Sequence, residues 1–299
     1  MTEYYETIHQ NIYEGIEDCH SNPFDLANLE RFRFSAEAPL GWWGWPVGIV
    51  LGYFLFNRLF SGFMSRRAAP DDRYIKPALA FHNLAISLAS LALGGYLTVL
   101  LIQRWLEGFS LHEMICSPEF HHSDTVQYLY WWNYIFKIWE LVDTWFLILR
   151  KKPVIFLHEY HHAATLFLTW SQLEFHSGVQ WVPIVLNLWV HVIMYFYYGM
   201  AATGTYMWWK KYLTRIQITQ FVIDIVACLY AYIYGLAYST GDCWPFRPFC
   251  FWYEIDSLAC YGTQTGAVIG IFLITSYFGL FIQFYRRTYL TPQIRKKSE

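Results

Sequence analysis

Ionisable and amide side chains gather in four stretches that are otherwise apolar. The first holds Asn133, Lys137, Glu140, Asp143 and Thr144, and the second opens with His158, His161 and His162. The third carries Asn187, His191 and Tyr195, and the fourth Gln217 and Gln220. Such groups are costly in an apolar setting, so each needs a partner or a function. On helices, His158, His161 and His162 stand at i, i+3 and i+4 and so share a face; Asn187, His191 and Tyr195 do so at successive i+4 steps. Lys137, Glu140 and Thr144 form another stripe. Imidazoles grouped in this way ligate metal, move protons or attack carbonyl carbon.

The metal reading suffers from a shortage of ligands. A membrane di-iron enzyme of the desaturase or hydroxylase kind draws on several histidine boxes, and this chain has one. Of its 11 histidines, His9 and His20 lie near the N-terminus, and His112, His121, His122 and His176 fall in connections on the far side of the spans. A single zinc on the cluster and His191 stays geometrically open. The blander readings are a hydrogen-bonded core role for the isolated His82, interfacial positions for His121 and His122, and a structural ion pair for Lys137 with Glu140.

The elements that must position these groups are membrane spans. The 299 residues are 56% apolar, 21% aromatic and 15% charged, with a formal net charge of −2. That charge fraction is low for a soluble domain, the aromatic content suits many lipid interfaces, and no global basic field recruits nucleic acid. Apolar runs of about 20 residues cross a bilayer as helices. Seven such runs occur, from about Pro39 to Phe56, Pro77 to Ile102, Val126 to Leu149, Val154 to Leu173, Val179 to Ala202, Ile216 to Ala237 and Thr263 to Phe284. The third and fourth, joined by Arg150, Lys151, Lys152 and Pro153, should be antiparallel neighbours. At 1.5 Å per residue from the basic turns, the polar stripes fall in one slab about 5 to 20 Å deep, which predicts a shared chamber.

Sixteen Lys and Arg lie in the connections after spans one, three and five and in the tail, against four on the other side, with Lys137 completing the 21. Basic residues favour the cytosol, so the N-terminus is expected to be lumenal and the C-terminus cytosolic. Six cysteines are too few for a disulfide scaffold. Cys116, Cys243, Cys250 and Cys260 all fall on the oxidising side, where one bridge from Cys116 to the last loop competes with free thiols. The expected organisation is a lumenal segment over residues 1–38, a seven-helix membrane domain over 39–286 and a basic cytosolic tail over 287–299. A seven-helix receptor or transporter is the rival architecture, although the imidazole cluster is unneeded in the first and the repeats typical of the second are missing.

At these residues the sequence resembles the ELO family of very-long-chain fatty acid elongases, integral membrane 3-ketoacyl-CoA synthases of the endoplasmic reticulum. The shared patterns are KxxExxDT at Lys137, Glu140, Asp143 and Thr144, and HxxHH at His158, His161 and His162. Two more are NxxxHxxMYxYY at Asn187, His191, Met194, Tyr195, Tyr197 and Tyr198, and TxxQxxQ at Thr214, Gln217 and Gln220. The likeness covers roughly Arg73 to Arg287 and looks nearest to fungal-type members. It implies an all-α integral membrane fold of seven transmembrane helices, spans two to seven enclosing an acyl tunnel. It also implies condensation of acyl-CoA with malonyl-CoA to 3-ketoacyl-CoA, CoA and carbon dioxide, with no metal or redox cofactor.

That reaction needs an acyl acceptor, and the only cysteine expected inside a span, Cys228, lies away from the polar stripes. Imidazole is the remaining nucleophile, and the resemblance points to His161 as the group that accepts the acyl chain, in a ping-pong route through an acyl-histidine, with His191 as acid/base or carbonyl-polarising group. Asn187 and Tyr195 would hold thioester or enolate oxygens. His158, His162, Glu140 and Asp143 would orient them, with Lys137, Gln217 and Gln220 in support. Arg150, Lys151, Lys152, Lys210, Lys211 and Arg215 would ring a CoA entrance, or simply follow the topology. Lys296 and Lys297 resemble a dilysine retrieval signal for the endoplasmic reticulum. The partners so implied are acyl-CoA, malonyl-CoA, the bilayer and the reductases and dehydratase of the elongation cycle, with a homo-oligomer left open and no nucleic acid.

Overall fold

The computed structural model describes residues 32–121, 123–240, 260 and 262–290, and what it describes is all-helical. Helix α1 (Gly44–Ser65) and α2 (Asp72–Leu106) are followed by two short helices, α3 (Leu111–Cys116) and α4 (Pro118–His121). Next come α5 (Asp124–Glu140), α6 (Val142–Leu149) and α7 (Phe156–Glu174), then a 3-10 turn (Gly178–Gln180) leading into α8 (Trp181–Ala202). Helices α9 (Lys210–Thr240) and α10 (Gln264–Tyr285) complete the bundle, with a π-helical turn at Arg286–Leu290. Cys243 and Cys250, His122, most of the segment 1–38 and the dilysine tail lie outside the described residues.

By length and composition, five helices among the described residues suffice to cross a membrane: α1, α2, α8, α9 and α10. The expected third span is divided at Leu141, where the N–H of Leu141 bonds the carbonyl of Ile138 and that of Thr144 bonds the carbonyl of Leu141. These i to i−3 bonds tighten one turn, leaving pieces of 17 and 8 residues. Helix α7 has 19 residues, but His158, Glu159, His161 and His162 crowd its first turns and reduce its apolar character. The first helix also differs from expectation, beginning at Gly44 rather than Pro39 and continuing to Ser65. The apolar residues before it fold into turns whose carbonyls are taken by indoles: Trp131 Nε1 donates to Pro39 O at 2.9 Å and Trp170 Nε1 to Gly41 O at 2.6 Å.

Helices α2 and α8 pack closely because glycine faces the partner at two points. A Cβ on Gly94 would come 3.1 Å from Leu188 Cβ, and one on Gly199 would come 2.9 Å from Leu84 Cδ2. Two cores result. One surrounds α5, with Tyr130, Trp131 and Tyr134 fully buried against Leu166 and Leu188; the other lies beneath α9 and α10, around Leu168, Phe221, Ile274 and Tyr277. Facing outward are Leu51, Leu55, Leu59, Phe81, Leu88 and Phe272, all more than half exposed, an apolar exterior suited to lipid.

The ends of the bundle are chemically unlike. At one, Asp72 at the start of α2 lies within electrostatic reach of Arg150 and Lys152 in the α6–α7 turn. At the other, Cys116 is bonded to Cys260, the bridge expected from Cys116 to the last loop. There the hydroxyl of Thr263 also donates to Phe175 O, and the Trp181 indole to Met114 O.

Candidate active site

The histidine box does not act as one face. Residues three and four apart straddle the 3.6-residue turn, so His161 and His162 diverge by about 100° around α7. His158 and His162 face α6 and lie with ring centres 4.4 Å apart. His158 Nε2 is 3.0 Å from Thr144 Oγ1, and His162 Nε2 is 3.9 Å from Asp143 Oδ2. His161 turns the other way, its ring packed against Tyr277 at 5.2 Å and Phe281 at 5.8 Å on α10.

Lys137 organises a second group. Its ammonium donates to Glu140 Oε1 at 2.8 Å and to Asn187 Oδ1 at 2.7 Å, with both ionic residues 2% exposed. An ammonium has no acceptor, so the Asn187 oxygen must point at it and the Asn187 NH2 must point away. That NH2 meets His191 Nε2 at 3.2 Å. Nε2 is then the acceptor, and the ring proton sits on Nδ1, in a bent contact 3.0 Å from Glu140 Oε1. One buried lysine thus fixes an amide, and the amide fixes an imidazole tautomer.

Asp143 anchors a third group. Its carboxylate accepts from Tyr195 Oη at 2.5 Å and lies 2.7 Å from His82 Nε2, the hydrogen-bonded core role read for His82 from the sequence. Tyr195 is therefore committed to Asp143. Gln217 donates to Met194 Sδ at 3.2 Å, and Gln220 to Asp224 Oδ2 at 3.2 Å.

Beside these groups lies a cavity whose wall includes His161, Lys137, Asn187, Gln220 and Tyr277. Among the box imidazoles and His191, His161 alone is on that wall; His191 sits behind Asn187, and His158 and His162 face α6. Among the described residues, no three His, Cys, Asp or Glu side chains converge as metal ligands. Sequence reasoning passed over Tyr53, whose hydroxyl is 2.7 Å from Thr144 Oγ1, and Asn57, which donates to Glu159 Oε1 at 3.1 Å. Both belong to α1 and stand four residues apart on one face, a spacing that could have marked them. It also passed over Asp224 on the cavity wall, which its position four residues after Gln220 could have revealed. Of the basic residues expected at an entrance, Arg215 donates to Tyr285 Oη at 2.8 Å.

The chain matches the ELO family, described as the GNS1/SUR4 family, over residues 39–297, so the likeness extends across α1 as well. It is similar to fatty acid elongase A of Dictyostelium discoideum, at 32% identity over 95% of this chain and 99% of that protein. A Schizosaccharomyces pombe relative is 34% identical over 91% of this chain and 77% of its own length. Very long chain fatty acid elongase 2 of Mus musculus is 30% identical, over 84% of this chain and 78% of the relative. A family match spanning nearly all of a chain built from apolar helices leaves one conclusion: this multi-pass membrane protein belongs to the ELO family.

Proposed function

We propose that this protein is the condensing enzyme of fatty acid elongation, a very-long-chain 3-oxoacyl-CoA synthase joining acyl-CoA to malonyl-CoA. The observation that carries the reading is the single imidazole, His161, on the wall of a buried cavity beside Lys137 and Asn187. Elongation itself is supported by the family and by the relatives' names.

The residues divide the work as follows. A ring nitrogen of His161 attacks the thioester carbonyl, the carbon–sulfur bond breaks, and CoA departs with the imidazole proton. Malonyl-CoA then loses carbon dioxide, and the resulting enolate carbon attacks the acyl-imidazole, forming the carbon–carbon bond and expelling the His161 ring, which takes up one proton to return to its starting state. Asn187 has a second N–H to offer a developing oxyanion, and Lys137 supplies positive charge beside it. His191, one hydrogen bond behind Asn187, is the acid/base. Tyr195, Asp143, His158 and His162 position the others. An acyl-imidazole survives only where water is kept out, which a largely apolar cavity wall favours. No metal or redox cofactor takes part.

In this reading α5–α6 and α7 also span the membrane, making seven spans with the N-terminus lumenal and the basic turns and tail cytosolic. The dilysine tail returns the protein to the endoplasmic reticulum, where the reductases and dehydratase of the cycle take its product.

Purified protein given acyl-CoA alone should release CoA and gain one acyl mass on the peptide containing His161, and His161→Ala should lose both. CoA appearing only after malonyl-CoA is added would remove the acyl-histidine from the scheme. Chelators should leave turnover intact; stoichiometric metal whose removal ends activity would return the histidine-box metalloenzyme to consideration.

A further inference from the structure

The cavity that holds His161 continues for about 16 Å, counting α7 at 1.5 Å per residue from His161 to Gln172. A tunnel for a plain hydrocarbon tail would be apolar throughout; this one is mostly apolar, yet polar side chains stand in its wall. Leu168, Ile184, Phe221 and Ile274 share its wall with Asn133, Gln180 and Asp224. These three polar residues are 1%, 5% and 2% exposed. Each carries an oxygen that no protein group satisfies: Asn133 Oδ1, Gln180 Oε1 and Asp224 Oδ1. Asp224 uses its other oxygen for Gln220. Buried acceptors in native proteins are almost always paired, and leaving one unpaired is costly. Methylene groups cannot pair them. These oxygens lack a donor, and the side chains that carry them stand in the cavity wall.

From this arrangement we infer that the cavity beyond His161 receives acyl chains bearing a hydroxyl group remote from the thioester, with Asp224 as its principal acceptor. The inference rests on the elongase reading and narrows it to a substrate class. A carboxylate accepts the O–H of an alcohol directly, and the hydroxyl oxygen retains lone pairs for a further donor. Because the polar atoms lie among apolar ones, most of the chain still meets hydrocarbon, and a hydroxyl level with Asp224 meets its carboxylate. Water is the competing occupant of that level.

The test is elongation of paired acyl-CoAs of equal length, with and without a terminal hydroxyl, by the full-length protein in detergent with labelled malonyl-CoA. A site built to bond a hydroxyl discriminates strongly against the analogue lacking it. At chain lengths that bring the hydroxyl level with Asp224, kcat/KM should favour the hydroxylated chain by at least about tenfold. Asp224→Asn, which keeps an acceptor, should preserve the preference, and Asp224→Leu should abolish it while still elongating the plain chain. Should Asp224→Leu fail to fold, Gln180→Leu should reduce the same preference. Equal or better use of the plain chain at every length would overturn the inference, leaving water at that level and the elongase reading intact. Elongation of neither chain would overturn both.

Discussion

Lys137 is the residue on which most of the site's geometry depends. It neutralises Glu140, orients Asn187 and, through Asn187, sets the tautomer of His191. Removing one partner of a buried ion pair leaves the other charge uncompensated, at a cost of about 3–5 kcal/mol. Lys137→Met should therefore lower the melting temperature sharply, and Lys137→Met with Glu140→Gln should recover part of the loss; equal damage in both would show that the pair does not hold this region. A smaller effect is expected at Tyr53→Phe, which removes one hydrogen bond to Thr144 and about 1 kcal/mol of stability. If Thr144 positions His158, that variant should also slow turnover several-fold with little change in KM. Much of this site was legible from residue types and helical spacing: Lys137 meets Glu140, His158 meets His162 and Asn187 meets His191. The assignment of His161 to the cavity and of His158 and His162 to α6 was not. Helical spacing defines a face only to within a turn, and which neighbour lies on each side of it depends on packing between helices.

At the scale of elements, the tightened turn at Leu141 and the glycine contacts of α2 with α8 give the bundle its shape. Helix positions could be read from hydropathy to within a few residues, with two exceptions of physical origin. Pro39 to Trp43 counted as the start of a span because they are apolar, yet their backbone carbonyls serve the indoles of α5 and α7 instead of a helix. The run from Val126 to Leu149 gave no sign of its break, which lies in backbone hydrogen bonding rather than composition. Gly270 of α10 offers a direct test of the cavity as an acyl site. A Cβ there would lie 3.6 Å from Cys228 Sγ and 3.8 Å from the Gln172 amide. Both neighbours line the cavity, so Gly270→Leu would put its side chain into that space. The longest acyl chain accepted should shorten, while turnover of short chains persists. Unchanged product lengths would place the acyl tail elsewhere.

On the scale of the whole molecule, the proposed orientation puts the basic turns in the cytosol and the disulfide in the lumen. A C-terminal tag should accordingly be digested by protease added to sealed microsomes; protection would refute both the orientation and the retrieval signal. The disulfide also divides the chain in a way that the order of its helices does not suggest. Cys116 and Cys260 are 144 residues apart, so their bond closes a covalent ring that contains α4 to α9 and leaves α1 to α3 on one branch and α10 on the other. A cut after the exposed Lys151 opens that ring without parting the chain. Trypsinised protein nicked there should migrate as one full-length band until reductant separates it into two pieces of similar size. A cut after Arg67, outside the ring, should release α1 with or without reductant. Most of the catalytic residues would thus stay on one covalent body after a break in the backbone, whereas α1, with Tyr53 and Asn57, is held to them by noncovalent contacts alone.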